Sequence, residues 1–348
     1  MRILTSLPQE DLRSVPEAAQ AAEMQGFDGV LTQENRNDPF LALAVAAVAT
    51  HRMTLGTAVA IAFPRSPMVV ANAAWDLQVA SRGRFVLGLG PQIRPHIEKR
   101  FSVPWVAPMA RLREYVLSLR AIWRAWETGE KLRFEGQHYR FTLMTPNFVP
   151  PSRGLPMVPI TLAAVGPKSL RLAGEVADGV QLHPFCTRRY QEEVVLPRLQ
   201  EGLAGSGRRL AQFEIVGGGF IATGPDAAAV AKMFEWVRAR LGFYGSTPAY
   251  WPVLELHGLG DLGRALNVLS KQGKWTEMTS LIPDEVVHLF AAVGTHAEIA
   301  DRIAQRFGGV SDAVSASINS AITSDLPSEV LADIRRIPVQ FTGYQTPS

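Results

Sequence analysis

Residues 29–90 read GVLTQENRNDPFLALAVAAVATHRMTLGTAVAIAFPRSPMVVANAAWDLQVASRGRFVLGLG. Short apolar runs at Gly29–Gln33, Met53–Ile61 and Phe85–Gly90 alternate here with longer Ala-rich segments of helical length. The runs are apolar on both faces, Val86-Leu87-Gly88-Leu89 above all, as expected of strands covered by helices on each side. Each helix carries a start signal. Asp38-Pro39 and Ser66-Pro67 place a side-chain acceptor before a proline, whose missing N–H costs nothing in a first turn. The second of these helices ends near Arg82-Gly83.

The rhythm extends both ways. Arg2–Leu7 is a preceding strand, and Ser14 with Glu17 three places on forms a capping box for a helix that stops at Gly26. Further along, Pro159–Ala164, Gly179–His183, Gln212–Thr223 and Asp312–Ser320 read as strands. Helices are expected over Pro167–Ala177, Arg188–Leu203, Asp226–Leu241 and Thr295–Phe307, the last with a Thr295/Glu298 capping box. Strands alternating with helices call for a parallel sheet with right-handed crossovers. Eight of them predict an α/β fold of the (β/α)8 TIM-barrel type, one domain over residues 1–348. An open doubly wound sheet is the alternative, because strand number alone does not close a sheet. Two segments stand outside the repeat. Residues 127–157 contain a hairpin-like Lys131–Phe141, and residues 242–292 are rich in Gly, Trp and Tyr with two short helices. Insertions on the C-terminal face of a barrel build substrate pockets.

Composition narrows the class. Of 348 residues 47% are hydrophobic and 19% charged, enough for a large core and too apolar for a disordered chain. A net charge of +3 over this length gives no stripe for nucleic acid. Cys186 is the single cysteine, which excludes an internal disulfide and a cysteine-built metal site, and reads as packing. The longest apolar run, Phe40–Ala49, is far short of the ~20 residues that span a bilayer. MRILTSLPQEDLRS has no apolar leader, so a soluble cytoplasmic protein without a membrane partner is expected. Familiar site motifs fail. Gly88-Leu89-Gly90 lacks the third glycine of a dinucleotide fingerprint, Gly166-Pro167-Lys168-Ser169 has no P-loop ahead of it, and HExxH and GxSxG are absent, so no metal is expected.

LGTAVAIAFPRSPMVVANAAWDLQVASRGRFVLGLG (55–90), RLREYVLSLRAIW (111–123), GFDGVLTQENRNDPF (26–40) and LAGEVADGVQLHP (172–184), in this order of elements, resemble the luciferase-like monooxygenase superfamily. These are (β/α)8 barrels that bind FMN or the deazaflavin coenzyme F420. DPF after strand two, LGLGPQIRPHIEKRF across strand four and HPF after strand six are most similar to the F420-dependent oxidoreductase branch.

The resemblance implies a non-prolyl cis peptide at Ala58–Val59 against the cofactor ring, and cofactor or substrate contacts from Gln92 and His96. Ala164-Val165-Gly166-Pro167-Lys168-Ser169 opens a helix whose N–H groups suit a phosphate; an ordinary helix start with a surface lysine is the other reading. Relatives place an acidic residue and then a proton-transferring histidine after strand two. Here Glu34 is followed by Asn35, which cannot act as a base near neutral pH. Glu34, as an acid or base or merely as a ligand to the cofactor ring, and His96 are therefore the catalytic candidates, one and six residues beyond strands two and four, with Asn35 and His183 as further possibilities. Arg94, Lys99 and Arg100 offer a groove for the acidic tail of F420, or simply a solvated charged face. Trp75 reads as core, while Tyr244, Tyr250 and Trp251 line an apolar substrate pocket or pack the insertion. The expected activity is F420-dependent hydride transfer to or from a small, apolar or aromatic substrate. The alternatives are an FMN monooxygenase working with a separate reductase, and a non-catalytic flavin-binding barrel. A homodimer through the second and third helices is implied, with the small-residue stretch Ala42–Ala49 at the contact.

Overall fold

The computed structural model describes residues 1–316 and 326–344. Eight parallel strands carry the fold: β1 (Arg2–Ser6), β2 (Gly29–Thr32), β3 (Thr54–Thr57), β4 (Phe85–Gly90), β5 (Ile160–Ala164), β6 (Gly179–Leu182), β7 (Glu214–Gly217) and β8 (Ala313–Ser315). Each pairs with the next, and β8 returns to β1 with Ile3 opposite Val314, so the sheet is a closed barrel and the open alternative is excluded. The helices between strands are α1 (Val15–Gln25), α2 (Leu41–Ala49), α3 (Pro67–Ala80), α4 (Pro108–Thr128), α5 (Pro167–Val176), α6 (Leu196–Ser206), α7 (Ala227–Gly245) and α8 (Ile299–Phe307).

Strand alternation divides the core. Ile3, Val30, Leu55, Phe85 and Leu87 join the large layer under the helices, whereas Leu4, Val216 and Ala313 form a small cluster inside the barrel with Leu31 against it. At the N-terminal end, Arg2 pairs with buried Glu214, and the Tyr344 hydroxyl donates to the same carboxylate, closing the bottom. Nearer the other end lies a polar layer. Gln181 donates to the Thr57 carbonyl and to Thr161 Oγ1, both at 2.9 Å, and Thr57 Oγ1 exchanges hydrogen bonds with the backbone of Gly88.

Several local expectations are corrected. The Ser14/Glu17 box does not form; Asp11 instead accepts from Arg13 N–H and opens a 3-10 turn, Leu12–Ser14, before α1. The seventh strand does not run from Gln212 to Thr223. It stops at Gly217, and Gly217 (φ +82°) and Gly218 (φ +97°) turn the chain out of the barrel. Phe220–Gly224 then pairs in parallel with Ala291–Thr295, a strand the sequence reading missed, as a separate two-stranded sheet. The segment over Arg188–Leu203 carries a π turn at Gln191–Val195, immediately before α6, where Pro197 has no N–H to give to a regular ladder. The helix expected from Thr295 begins at Ile299, although Glu298 does reach back to Thr295 N–H at 3.0 Å, and a further helix, Ser328–Arg335, follows it. Residues 127–157 hold a hairpin, Phe134–Glu135 with Arg140–Phe141, and residues 242–292 hold four short helices where two were expected. Of the expected strand Asp312–Ser320, residues beyond 316 lie outside the described part. Among the described residues no helix is long and apolar enough to cross a membrane.

Candidate active site

The C-terminal ends of the barrel strands open into a cleft of about 780 Å³. Its walls come from the exits of β1, β2, β3, β6, β7 and β8, including Ser6, Gln33, Ala58, Gln181, Gly217 and Ser315. One side is apolar and belongs to the chain beyond β7: Phe220, Ile221, and Trp236 and Tyr244 of α7. The peptide bond Ala58–Val59 is cis and interrupts the third strand: Leu55 and Gly56 pair with β4 before it, and Ala60–Ile61 pairs with β4 after it.

Glu34 is buried directly after β2, and its carboxylate is fully engaged. It accepts from Ile61 N–H at 2.7 Å and from Arg65 Nη1 at 2.8 Å, while Arg65 Nη2 reaches Asp38 at 2.9 Å. Burial would lower the Arg65 pKa, but the hydrogen bonds and charges of Glu34 and Asp38 outweigh it and raise it. Asp38 also accepts from Phe40 and Leu41 N–H, tying this cluster to the start of α2. Glu34 thus clamps the loop after β2 to the loop after the cis peptide. Arg65 had no part in the sequence reading; a lone cation in the apolar stretch IAFPRSP was its only signal.

Asn35 is exposed, donates to Gln33 Oε1 at 2.8 Å and lines the cleft. His96 is exposed at the start of a π turn, His96–Arg100, and is not among the cleft-lining residues. Gln92 has φ +60° and turns its amide oxygen onto Ile93 N–H. Arg94 pairs with Glu98, Arg100 donates to the Asn35 carbonyl, and Lys99 is exposed. The structure therefore brings Asn35 and Ala58 to the cleft wall, buries Glu34 off that wall, and leaves His96 exposed outside the cleft.

His183 lies between two cleft-lining residues, Leu182 and Pro184. Its ring sits 4.4 Å from that of Tyr244 and 4.6 Å from that of Tyr250. Phe185 N–H donates to Nδ1 at 3.0 Å, which puts the proton of the neutral ring on Nε2. Burial lowers the His183 pKa to about 4. The unfolded chain takes up this proton near the ordinary 6.5, so stability is complete above that pH and falls as pH drops toward 4. The whole window is worth about 3 kcal/mol. We expect the melting temperature to fall between pH 7 and pH 5 and the fall to be smaller in His183→Asn; equal slopes in the two proteins would remove His183 as its source.

At the mouth of β5, Gly166 precedes α5, which no side chain caps, and a Cβ on Gly166 would meet nothing within 4 Å. Ser169 Oγ donates to the Gly166 carbonyl and accepts from Val165 N–H, and Lys168 is exposed, so the helix opening is ordered and free in front. Arg306, unforeseen in the sequence, is buried and donates to Gln191 Oε1 and to the carbonyls of Cys186 and Gly218, holding the exits of β6 and β7 together. Burial lowers its pKa to about 10, and pushes that of Cys186 up to about 12, leaving an inert thiol. Trp75 is buried edge-on to Trp126, and Trp251 donates to the Gly245 carbonyl within the insertion. Among the described residues no three metal-ligating side chains converge.

A closed parallel barrel with its cleft at the strand C-termini is the frame of a barrel enzyme. The chain belongs to the luciferase-like monooxygenase family, whose profile matches residues 2–312. It is 48% identical over 331 residues, 95% of this chain and 97% of the relative, to an uncharacterized protein of Mycobacterium tuberculosis. A second protein of that organism, named as a coenzyme F420-dependent oxidoreductase, is 31% identical over 80% of this chain and 83% of its own. Among solved structures, the coenzyme F420-dependent tetrahydromethanopterin reductase of Methanopyrus kandleri shares the fold, with a TM-score of 0.76, 18% identity and 97% coverage of both chains.

Proposed function

We propose that this protein is a coenzyme F420-dependent oxidoreductase. The observation that carries the reading is the conjunction, on the strand C-terminal face of one barrel, of the cleft lined by Ala58 and the open, uncapped α5 N-terminus at Gly166. The 31% identical relative named for F420 points the same way. These residues fit the cofactor: Ala58 and Val59 would back its ring, and the backbone at Gly166 to Ser169 would hold its phosphate. When bound, the deazaflavin supplies a hydride at C5. The chain's own part is orientation and electrostatics. Glu34, through Arg65 and Ile61 N–H, fixes the backbone around the cis peptide and acts as a positioning carboxylate. His183, neutral near pH 7, offers its Nε2 proton as a hydrogen-bond donor and not as a charged acid. Phe220 and Tyr244 cover the substrate side against water.

The test is a fluorescence titration of the purified protein with F420 and with FMN. Micromolar or tighter F420 binding and weaker FMN binding are expected. Tight FMN binding without an F420 signal would overturn the reading in favour of an FMN-dependent monooxygenase, the activity in the family's name. Binding of either without turnover of any hydride donor or acceptor would point to a non-catalytic flavin-binding barrel.

The same reading extends to assembly as a homodimer. On α2, Leu41, Ala44, Val45 and Val48 form an outward apolar stripe, with Leu41 56% and Val48 73% exposed and no charged residue on the helix. Light scattering should give twice the chain mass, and Val48→Asp should lower it toward the monomer. A monomeric parent at working concentration would remove this claim and leave the fold untouched.

A further inference from the structure

One end of the cleft carries a charge that no acidic side chain among the described residues answers. Arg240, half-buried on α7, lies with its guanidinium 5.0 Å over the Trp236 ring, and both residues line the cleft. It has no ion pair among the described residues. The other charged groups lining the cleft are answered locally: Asp11 by Arg13 at 3.0 Å, and Glu10 by Arg36 at 3.8 Å. The glycine exit of β7 lines the same cleft, and the Gly219 N–H has no protein acceptor among the described residues. A Cβ at Gly219 would come within 2.9 Å of the Phe290 carbonyl and of Arg306 Nη2, so the backbone there stays bare.

We propose that this end of the cleft is an anion subsite, taking the carboxylate or phosphate of a substrate whose body is aromatic or apolar, with Arg240 as the specificity-determining residue. A guanidinium held over an indole without an ion pair is pre-oriented and only partly hydrated, the state in which a cation gains most from a planar or tetrahedral anion. The bare N–H of Gly219 adds a donor of the kind found after the seventh strand of barrels that bind anionic groups. Phe220 and Tyr244 supply the apolar wall for the rest of the molecule. The inference rests on the oxidoreductase reading only in calling the occupant a substrate.

The test is calorimetric titration with 2-naphthoate, 2-naphthyl phosphate and the neutral 2-naphthamide, on the protein alone and after saturation with F420. At least one anion is expected to bind about tenfold or more tighter than the amide in both states. Arg240→Gln should bring acid and amide within about twofold while the affinities for the amide and for F420 hold. The tighter of the two anions identifies the group. Equal affinities in the parent, or an acid preference that survives Arg240→Gln, would overturn the subsite. Loss of anion binding on F420 saturation, or weakened F420 binding in Arg240→Gln, would assign Arg240 to the cofactor's acidic tail and overturn it as well. An Arg240-dependent acid preference in a protein that does not bind F420 would support the subsite and defeat the cofactor reading alone.

Discussion

Arg65→Met is expected to cost about 3–5 kcal/mol of stability, because it removes the cation from a buried carboxylate and leaves Glu34 uncompensated. Glu34 is 8% exposed and holds Arg65 and Ile61 N–H at once, so solvent does not replace the lost partner. The neighbouring Asp38 loses its own Arg65 contact, and with it the tie between the loop after β2 and the loop after the cis peptide. Chemical denaturation should show a lower midpoint with an unchanged slope. The paired variant Arg65→Met with Glu34→Gln should recover part of the loss, since no buried charge remains. A single variant within about 1 kcal/mol of the parent would show the cluster to be solvated and of surface strength.

Gly88→Ala should be as damaging for a different reason. A Cβ there would lie 1.9 Å from the Thr57 carbonyl oxygen and 2.4 Å from the Gln181 amide nitrogen. The first is backbone of the adjacent strand and cannot rotate away. Relief requires spreading β3 from β4, which disrupts the Thr57–Gly88 exchange and the Gln181 bridge beneath the cleft. We expect a loss of about 3 kcal/mol or more, at or beyond the usual range for overpacking, seen as poor soluble yield or a lowered melting temperature. A fully stable Gly88→Ala protein would mean that the strands separate at little cost, and that the polar layer does not set the floor of the site.

The barrel was legible because its signals are local and repeated. Val86-Leu87-Gly88-Leu89 is apolar on both faces wherever it is read, and Ser66 does cap the helix it precedes by accepting from Met68 N–H, whereas the helix after Asp38-Pro39 starts only at Leu41, without a side-chain cap. Where the reading erred, a tertiary partner or a neighbouring cap decided. Ser14 lost its cap to Asp11, three residues earlier, and the strand Ala291–Thr295 forms only because Phe220–Gly224 lies beside it. The break in strand seven did have a signal in Gly217-Gly218-Gly219, three residues without side chains between apolar runs. The site was less legible. Ala58 lines the cleft, but Glu34 is buried off its wall and His96 stands outside it on its own turn, because spacing from a strand end does not tell which way a loop folds. Gln181, a lone amide in the apolar GVQLH, and Arg306, a cation on the buried side of an amphipathic helix, were the odd residues that marked the interior.

The side sheet has a consequence for how such a protein changes over time. Residues 220–295 leave and re-enter the body through two strands hydrogen-bonded to each other, with Phe220 opposite Ala291. The strands run parallel, so the cassette enters at Phe220 and leaves at Thr295 from opposite ends of the pair, which brackets it as one unit on the rim. Trp236, Arg240 and Tyr244 sit in the cassette, whereas Ala58, Glu34 and the α5 opening sit in the host. The two sides of the site thus rest on separate stretches of chain, so substitutions within the cassette change one side and leave the residues of the other in place.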